Sequence, residues 1–256
     1  MLEAIVVAVR EASDAALAVY RRHVASGCEV QTKGDGSPLT EADLLVDRML
    51  VPALEAIAPG IPVVTEERGE THDLSAPRFF LVDPIDGTKE FVRGTGEWTV
   101  NVGLIEDGVP TLGVIAAPAL GRLFAGDASG AWEERDGTRR PLRVCEPRAK
   151  PACVASRSHR TAETDAFLAA NDAGEIVAAG SSLKFCLVAS GEADLYPRLG
   201  PTMEWDTAAG DAILRAAGGR VRALVDGRLG PMRYGKPEWR NPHFVADGGC
   251  ESRLAA

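Results

Sequence analysis

A chain of 256 residues and 27.0 kDa can bury most of its unfolded surface in one large domain or two tightly packed lobes. Its 45% apolar and 25% charged residues exclude disordered, fibrous and collagen-like structure. The formal charge of −9 comes without any basic tract, which excludes a DNA or RNA polymer as partner. A small anionic substrate stays open, because distant charges are screened and the local field of a site decides what binds there.

The five cysteines, Cys28, Cys145, Cys153, Cys186 and Cys250, are odd in number and form no C-x-x-C pair, which reads as reduced thiols. His23, His72, His159 and His243 are scattered without zinc-ligand spacing. Glu3 stands where a signal peptide carries positive charge, and no apolar run approaches ~18 residues. A soluble, cytoplasmic protein without a transmembrane segment is expected.

In chain order, Ile5, Val9, Ala12, Ala16 and Val19 recur at spacings of three and four and predict an amphipathic helix over 2–26. A loop is expected from Thr32 to Pro38, around Asp35. Thr40 can cap a second helix with its apolar stripe at Leu45, Met49, Leu50, Leu54 and Ile57, stopped by Pro59 and Gly60. Short strands are expected at Ile61–Thr65 and Phe79–Val82, each ending in acids: Glu66 and Glu67 in one case, Asp83 in the other. Residues 98–105 and 111–116 flank the turn signal Glu106-Asp107-Gly108 and predict a hairpin, with more short strands to about Trp132. Beyond a boundary near 145–152, marked by the Pro147-to-Pro151 stretch, helices near 163–171, 182–190 and 206–217 alternate with strands near 153–156, 176–179, 193–196 and 221–224. The expected organisation is a single domain of two packed lobes, approximately 1–147 and 148–256.

The densest signal is D-P-I-D-G-T at 83–88. Asp83 and Asp86 can converge across a proline turn, while Gly87 and Thr88 offer N–H groups and a hydroxyl to an anion. A solvated turn accounts for the same hexapeptide. Asp206, after Trp205, is equally a good helix N-cap, Thr40-x-x-Asp43 resembles a capping box, and Glu66 could be a surface acid. Carboxylates crowded in one cleft would repel and bind protons; a divalent cation removes that conflict, and magnesium takes oxygen ligands of this kind.

Together S-P-L-T-E-A-D at 37–43, T-E-E at 65–67, D-P-I-D-G-T at 83–88 and W-D-T-A-A-G at 205–210 with G-G at 218–219 resemble the inositol-monophosphatase-like superfamily of magnesium-dependent phosphatases, in the family's order and over nearly the whole chain. The resemblance implies an α/β (α+β) fold, the layered αβαβα sandwich of the inositol-monophosphatase and fructose-1,6-bisphosphatase type. It implies two or three Mg2+ ions held by Glu66, Asp83, the carbonyl of Ile85, Asp86 and Asp206. Asp43, Thr88 and Glu66 are the implied catalytic set, Asp43 and Thr88 orienting and deprotonating a water. Gly87 and Thr88 form the implied phosphate cradle. Thr65 stands where Ser or Gly is usual and puts no ligand in doubt.

Within the superfamily, D-G-T-K-E-F at 86–91 and G-S-S-L-K-F-C-L-V-A at 180–189, followed by L-Y-P-R-L-G-P-T at 195–202, are similar to the CysQ-type 3'(2'),5'-bisphosphate nucleotidases. That resemblance implies hydrolysis of the 3'-phosphate of adenosine 3',5'-bisphosphate or its sulfated analogue. Gly180, Ser181, Lys184 and Arg198 then join Glu66, Ile85, Asp86, Gly87, Thr88 and Asp206 around the substrate. For Lys184 a solvated helix face is the plain alternative. Rival functions are an inositol monophosphatase, a fructose-1,6-bisphosphatase, or a non-catalytic metal- or nucleotide-binding protein. A small phosphorylated nucleotide is the expected partner, and homodimers occur in the superfamily.

Overall fold

The computed structural model describes residues 1–27, 30–34, 36, 38–146, 148–156 and 161–250, without the side chain of residue 156. Cys28, Asp35, Ser37, Pro147 and His159, which figure in the sequence reading, lie outside the described residues. Helix α1 (Leu2–Ser26) buries the stripe its periodicity predicts, Ile5, Val9, Ala12, Ala16 and Val19. Strands β1 (Val30–Thr32) and β2 (Pro38–Thr40) pair antiparallel, so both ends of the expected loop are strand instead. Helix α2 (Glu41–Ile57) starts with a full capping box: the Thr40 hydroxyl accepts the Ala42 N–H, and Asp43 accepts the Thr40 N–H. Its buried face is centred on Ala42, Val46, Leu50 and Leu54. Leu45, Met49 and Ile57 lie only on the flank of that face, because the helix is seated one position round from the most apolar stripe so that Asp43 and Asp47 face inward.

Seven strands form the first sheet: β3 (Val63–Thr65), β4 (Arg78–Asp86), β5 (Thr99–Glu106), β6 (Val109–Ala117), β7 (Arg122–Asp127), β8 (Gly130–Arg135) and β9 (Thr138–Leu142), in that spatial order. β3 runs parallel to β4, and the remaining pairs are antiparallel. The D-P-I-D segment is not a turn. β4 continues through it with a register irregularity between Asp83 and Asp86 opposite β5, and such a bulge is where a strand tolerates proline. Helix α3 (Thr88–Val92) follows at once.

Strand β10 (Cys153–Ser156), helix α4 (Ala162–Ala170), β11 (Ile176–Ala179), helix α5 (Leu183–Ala189), β12 (Leu195–Arg198), helix α6 (Ala208–Ala216), β13 (Arg220–Val225), β14 (Arg228–Pro231) and β15 (Phe244–Asp247) complete the chain. Their sheet has the order β11-β10-β12-β15-β13-β14. One apolar cluster joins α1 and α2 to the first sheet. A second joins the opposite face of that sheet, α5, α6 and the second sheet, and a third joins α4 to the far side of the second sheet. The architecture is the layered αβαβα sandwich.

The middle layer positions the site. A side chain at Gly113 on β6 would lie 2.2 Å from the Ala209 carbonyl oxygen, so only glycine lets α6 lie flat on the first sheet. That close seat brings the segment entering α6, with Asp206 in it, over the end of β4.

Candidate active site

Four acids from separate segments converge where the layers meet. Glu66 follows β3, Asp83 and Asp86 flank the bulge of β4, and Asp206 precedes α6. Their mutual repulsion is evident in how they hold protons. Burial, then repulsion from Glu66, Asp86 and Asp206, pushes the Asp83 carboxyl well above the usual carboxylate range. Burial, then Asp86 and Glu66, raises Asp206 likewise. Asp86 is pushed up to about 6 by burial, against the relief offered by Lys184 and the Ser182 N–H. Asp86 and Asp206 keep an edge open to the cleft with protein on their other sides.

Asp83 is buried, and its Oδ1 has no hydrogen-bond partner. An orphaned carboxylate oxygen among like charges is costly unless a cation completes it. Hard oxygen donors with excess negative charge suit magnesium, so the residues present fit the ion. Among the described residues no three His, Cys, Asp or Glu side chains are drawn to one metal-sized point. Two of the acids are turned to protein partners: the Lys33 ammonium lies 2.6 Å from Glu66 and 2.6 Å from Glu67, and Asp206 accepts the Met203 N–H at 2.9 Å.

Asp206 therefore does not cap α6, whose N-cap is Thr207. Glu66 is ion-paired rather than a solvated surface acid. Asp43 serves its capping box and also faces the cleft: Thr88 Oγ lies 3.5 Å from Asp43 Oδ1 and 3.1 Å from the Ile85 carbonyl, so one hydroxyl proton has two acceptors. Burial, against hydrogen bonds from Thr40, raises Asp43 to about 6. Gly87 has φ +87°, and a Cβ there would press on Glu97 and Ser181 at 3.2 Å, so this turn beside the cleft requires glycine.

The facing wall is cationic. A cavity of about 240 Å³ is lined by Asp86, Gly87, Thr88, Gly180, Ser181, Lys184, Tyr196, Arg198 and Asp206 among others. Lys184 is not on a solvated helix face. It is 4% exposed, its ammonium donates to the Ser181 carbonyl and lies 5.4 Å from the Tyr196 ring centre, and burial lowers it to about 8. Arg198 Nη2 donates to the Pro201 carbonyl at 2.8 Å, and its buried Nε has no partner. Ser181 holds a left-handed φ of +46°; the Gly180 N–H donates to Glu97 Oε2 at 3.0 Å.

Lys33, Ser182 and Tyr196, and Glu67 beyond its place at a strand end, join the site without being expected there. Ser182 gives Asp86 its N–H and shares its hydroxyl with Thr99 and Asn101, each at 2.8 Å. Burial alone would lower the Lys33 ammonium, but Glu66 and Glu67 outweigh it and hold it above its usual value. Only a pairing across 33 positions reveals that role. Glu67 is pushed up to about 7 by burial, against Lys33.

Comparison with known proteins places this geometry among relatives. The model of the inositol monophosphatase family matches residues 1–246. The chain is 41% identical to the 3'(2'),5'-bisphosphate nucleotidase CysQ of Escherichia coli O157:H7 over 247 residues, 95% of this chain and 98% of that protein. It is 44% identical to the same-named protein of Salmonella typhimurium over 223 residues, 86% of this chain and 89% of the other. The crystal structure of CysQ from Bacteroides thetaiotaomicron, described as a bacterial member of the inositol monophosphatase family, superposes with a TM-score of 0.81 at 36% identity, covering 98% of this chain and 97% of that one.

Proposed function

The chain belongs to the inositol monophosphatase family, and from that premise we propose that it is a magnesium-dependent 3'(2'),5'-bisphosphate nucleotidase that hydrolyses adenosine 3',5'-bisphosphate to AMP and phosphate. The carrying observation is the juxtaposition of an under-compensated acid cluster, including the orphaned Asp83 oxygen, with the cationic wall of Lys184 and Arg198 across one cleft. A substrate with one phosphate to cleave and a second to grip suits a site with two such walls.

Glu66, Asp83, the Ile85 carbonyl, Asp86 and Asp206 would hold two or three magnesium ions, which when bound lower the pKa of water and offset charge on the departing oxygen. Asp43 takes the proton of the attacking water, relayed or oriented by the Thr88 hydroxyl 3.5 Å away. A carboxylate raised to about 6 is a better base near neutrality than one at its ordinary value. The water oxygen bonds to the 3'-phosphorus, the bond from phosphorus to the ribose oxygen breaks, and that oxygen takes a proton from solvent. The N–H groups at Gly87 and Thr88 steady the phosphoryl oxygens as charge builds. Lys184 and Arg198 bind the 5'-phosphate, with Gly180 and Ser181 lining the same wall.

The test is phosphate release from adenosine 3',5'-bisphosphate, inositol monophosphate and fructose 1,6-bisphosphate at equal concentration, with magnesium and with EDTA. The nucleotide should be cleaved fastest, and EDTA should abolish the activity. Turnover that persists in EDTA, or a preference for either rival, would overturn the proposal.

A further inference from the structure

Glu66, Asp83 and Asp86 come from the first sheet and Asp206 from the segment entering α6, and one side chain ties Glu66 to Asp206. His72 lies in the turn after Glu66, and its Nε2 is 2.9 Å from the Thr65 carbonyl, immediately before Glu66. A carbonyl oxygen only accepts, so Nε2 carries the hydrogen. The other partner of the ring is Trp205, immediately before Asp206, stacked with centroids 5.0 Å apart and planes 25° apart. The backbone of His72 is held as well: its carbonyl accepts the Trp239 indole N–H at 2.9 Å, and the Trp239 carbonyl accepts the Glu204 N–H at 2.8 Å. Thr65 is anchored on its far side by a 2.8 Å hydrogen bond from its hydroxyl to Asp47. Trp205 and Trp239 are both buried.

We propose that His72 is a positioning residue that sets the spacing of Glu66 and Asp206 and thereby the affinity of the site for magnesium. The inference rests on the reading of these acids as cation ligands. A hydrogen bond on one neighbouring backbone and a ring contact on the other give the imidazole a hold on both ligands without touching the ion. Partners one step removed from ligands typically change metal affinity by ~10–100-fold when lost. Because His72 acts through the residues beside Glu66 and Asp206, the low end of that range is expected.

Magnesium chloride is titrated into the substrate-free protein by calorimetry at 10 °C, for the parent and for His72→Ala, His72→Phe and His72→Gln. His72→Ala, which loses both contacts, should weaken magnesium binding about tenfold. His72→Phe keeps the ring contact and His72→Gln keeps an N–H donor, so each should recover part of the loss. The KM for the nucleotide at saturating magnesium should stay within about twofold of the parent, which separates ligand spacing from general damage to the cleft. A folded His72→Ala protein that binds magnesium within twofold of the parent would overturn the inference; if that variant does not fold, parental affinity in both His72→Phe and His72→Gln does so. A parent that binds no magnesium would instead overturn the reading of the acid cluster, and this inference with it.

Discussion

Buried carboxylates of two kinds occur among the described residues, and their surroundings separate a structural acid from a functional one. Asp247, at the end of β15, is fully buried and accepts Arg220 Nε at 3.0 Å, Arg222 Nη2 at 2.8 Å and the Gly249 N–H at 2.9 Å. Glu204 is treated alike: it accepts the N–H groups of Gly235 and Lys236 at 2.7 and 3.0 Å, with the Lys236 ammonium 2.5 Å away. At the cleft, Asp83 is as deeply buried, yet one oxygen is unpartnered and the repulsion from each of Glu66, Asp86 and Asp206 outweighs the relief from Lys33. Burial alone identifies neither group. The balance of charge around each carboxylate does, because an acid kept uncompensated costs stability and persists only where something else is to be bound.

The sharpest way to break that contrast is to neutralise one acid of each kind. Asp83→Asn should lower kcat by about 10^3-fold, equivalent to about 4 kcal/mol of lost transition-state stabilisation. The same substitution should leave the melting temperature in EDTA unchanged or raised, since it removes repulsion. Asp247→Asn should do the reverse: about 3 kcal/mol of stability lost by urea titration, as two guanidinium groups lose their shared partner, with kcat per folded molecule intact. Equal stability losses in the two variants would erase the distinction.

Much of this was legible in the residue pattern, and the failures have physical causes. The α1 stripe and the acids of the cleft could be read because helix period and short motifs are local signals. β15, Phe244–Asp247, is buried along its whole length, so it has no alternation to detect, and it was missed. The α2 stripe holds in part: Leu50 and Leu54 are buried as expected, whereas inward-facing Asp43 and Asp47 move Leu45, Met49 and Ile57 to the flank of the buried face. Lys184 shows a signal left unused: Leu183–Ala189 is apolar on every side except that lysine, the pattern of an internal helix, which should place the ammonium in a buried polar pocket rather than in water. The Lys33 contact with Glu66 had no local trace at all.

A second way to sharpen the comparison is to titrate it. Asp43 and Asp86 at about 6 and Glu67 at about 7, with Asp83 and Asp206 also raised, all bind protons more readily folded than unfolded. Folded protein therefore carries more protons between about pH 4 and 7, and stability must fall as pH rises through that window. The melting temperature of EDTA-treated protein should increase on acidification from pH 7 to pH 5. Magnesium at about a hundredfold its Kd should add about 2.7 kcal/mol at pH 7.5, roughly 5 to 10 °C in Tm, and flatten the slope, because it binds the ionised cluster. A melting temperature that rises from pH 5 to pH 7 without metal would mean the acids are compensated after all.

The smallest effects concern the cationic wall, where two residues with the same proposed partner differ in what else they face. Lys184 relieves Asp86, so Lys184→Met should raise KM and lower kcat together: the nucleotide loses a contact and Asp86 is pushed further toward its protonated form. Arg198 has a weaker second duty, since its relief of Asp206 is smaller than the repulsion from Asp86 and Glu66, and its Nη2 donates to the Pro201 carbonyl. Arg198→Met should raise the KM for adenosine 3',5'-bisphosphate about tenfold, about 1.4 kcal/mol, with kcat within about twofold, since a grip on a phosphate that does not react is equal in ground state and transition state. Adenosine 3'-monophosphate, which lacks the 5'-phosphate, should show little change in KM on the same substitution. A tenfold rise for that substrate too would move Arg198 from the 5'-phosphate to the phosphate being cleaved, and the two walls of the cleft would no longer be separable by function.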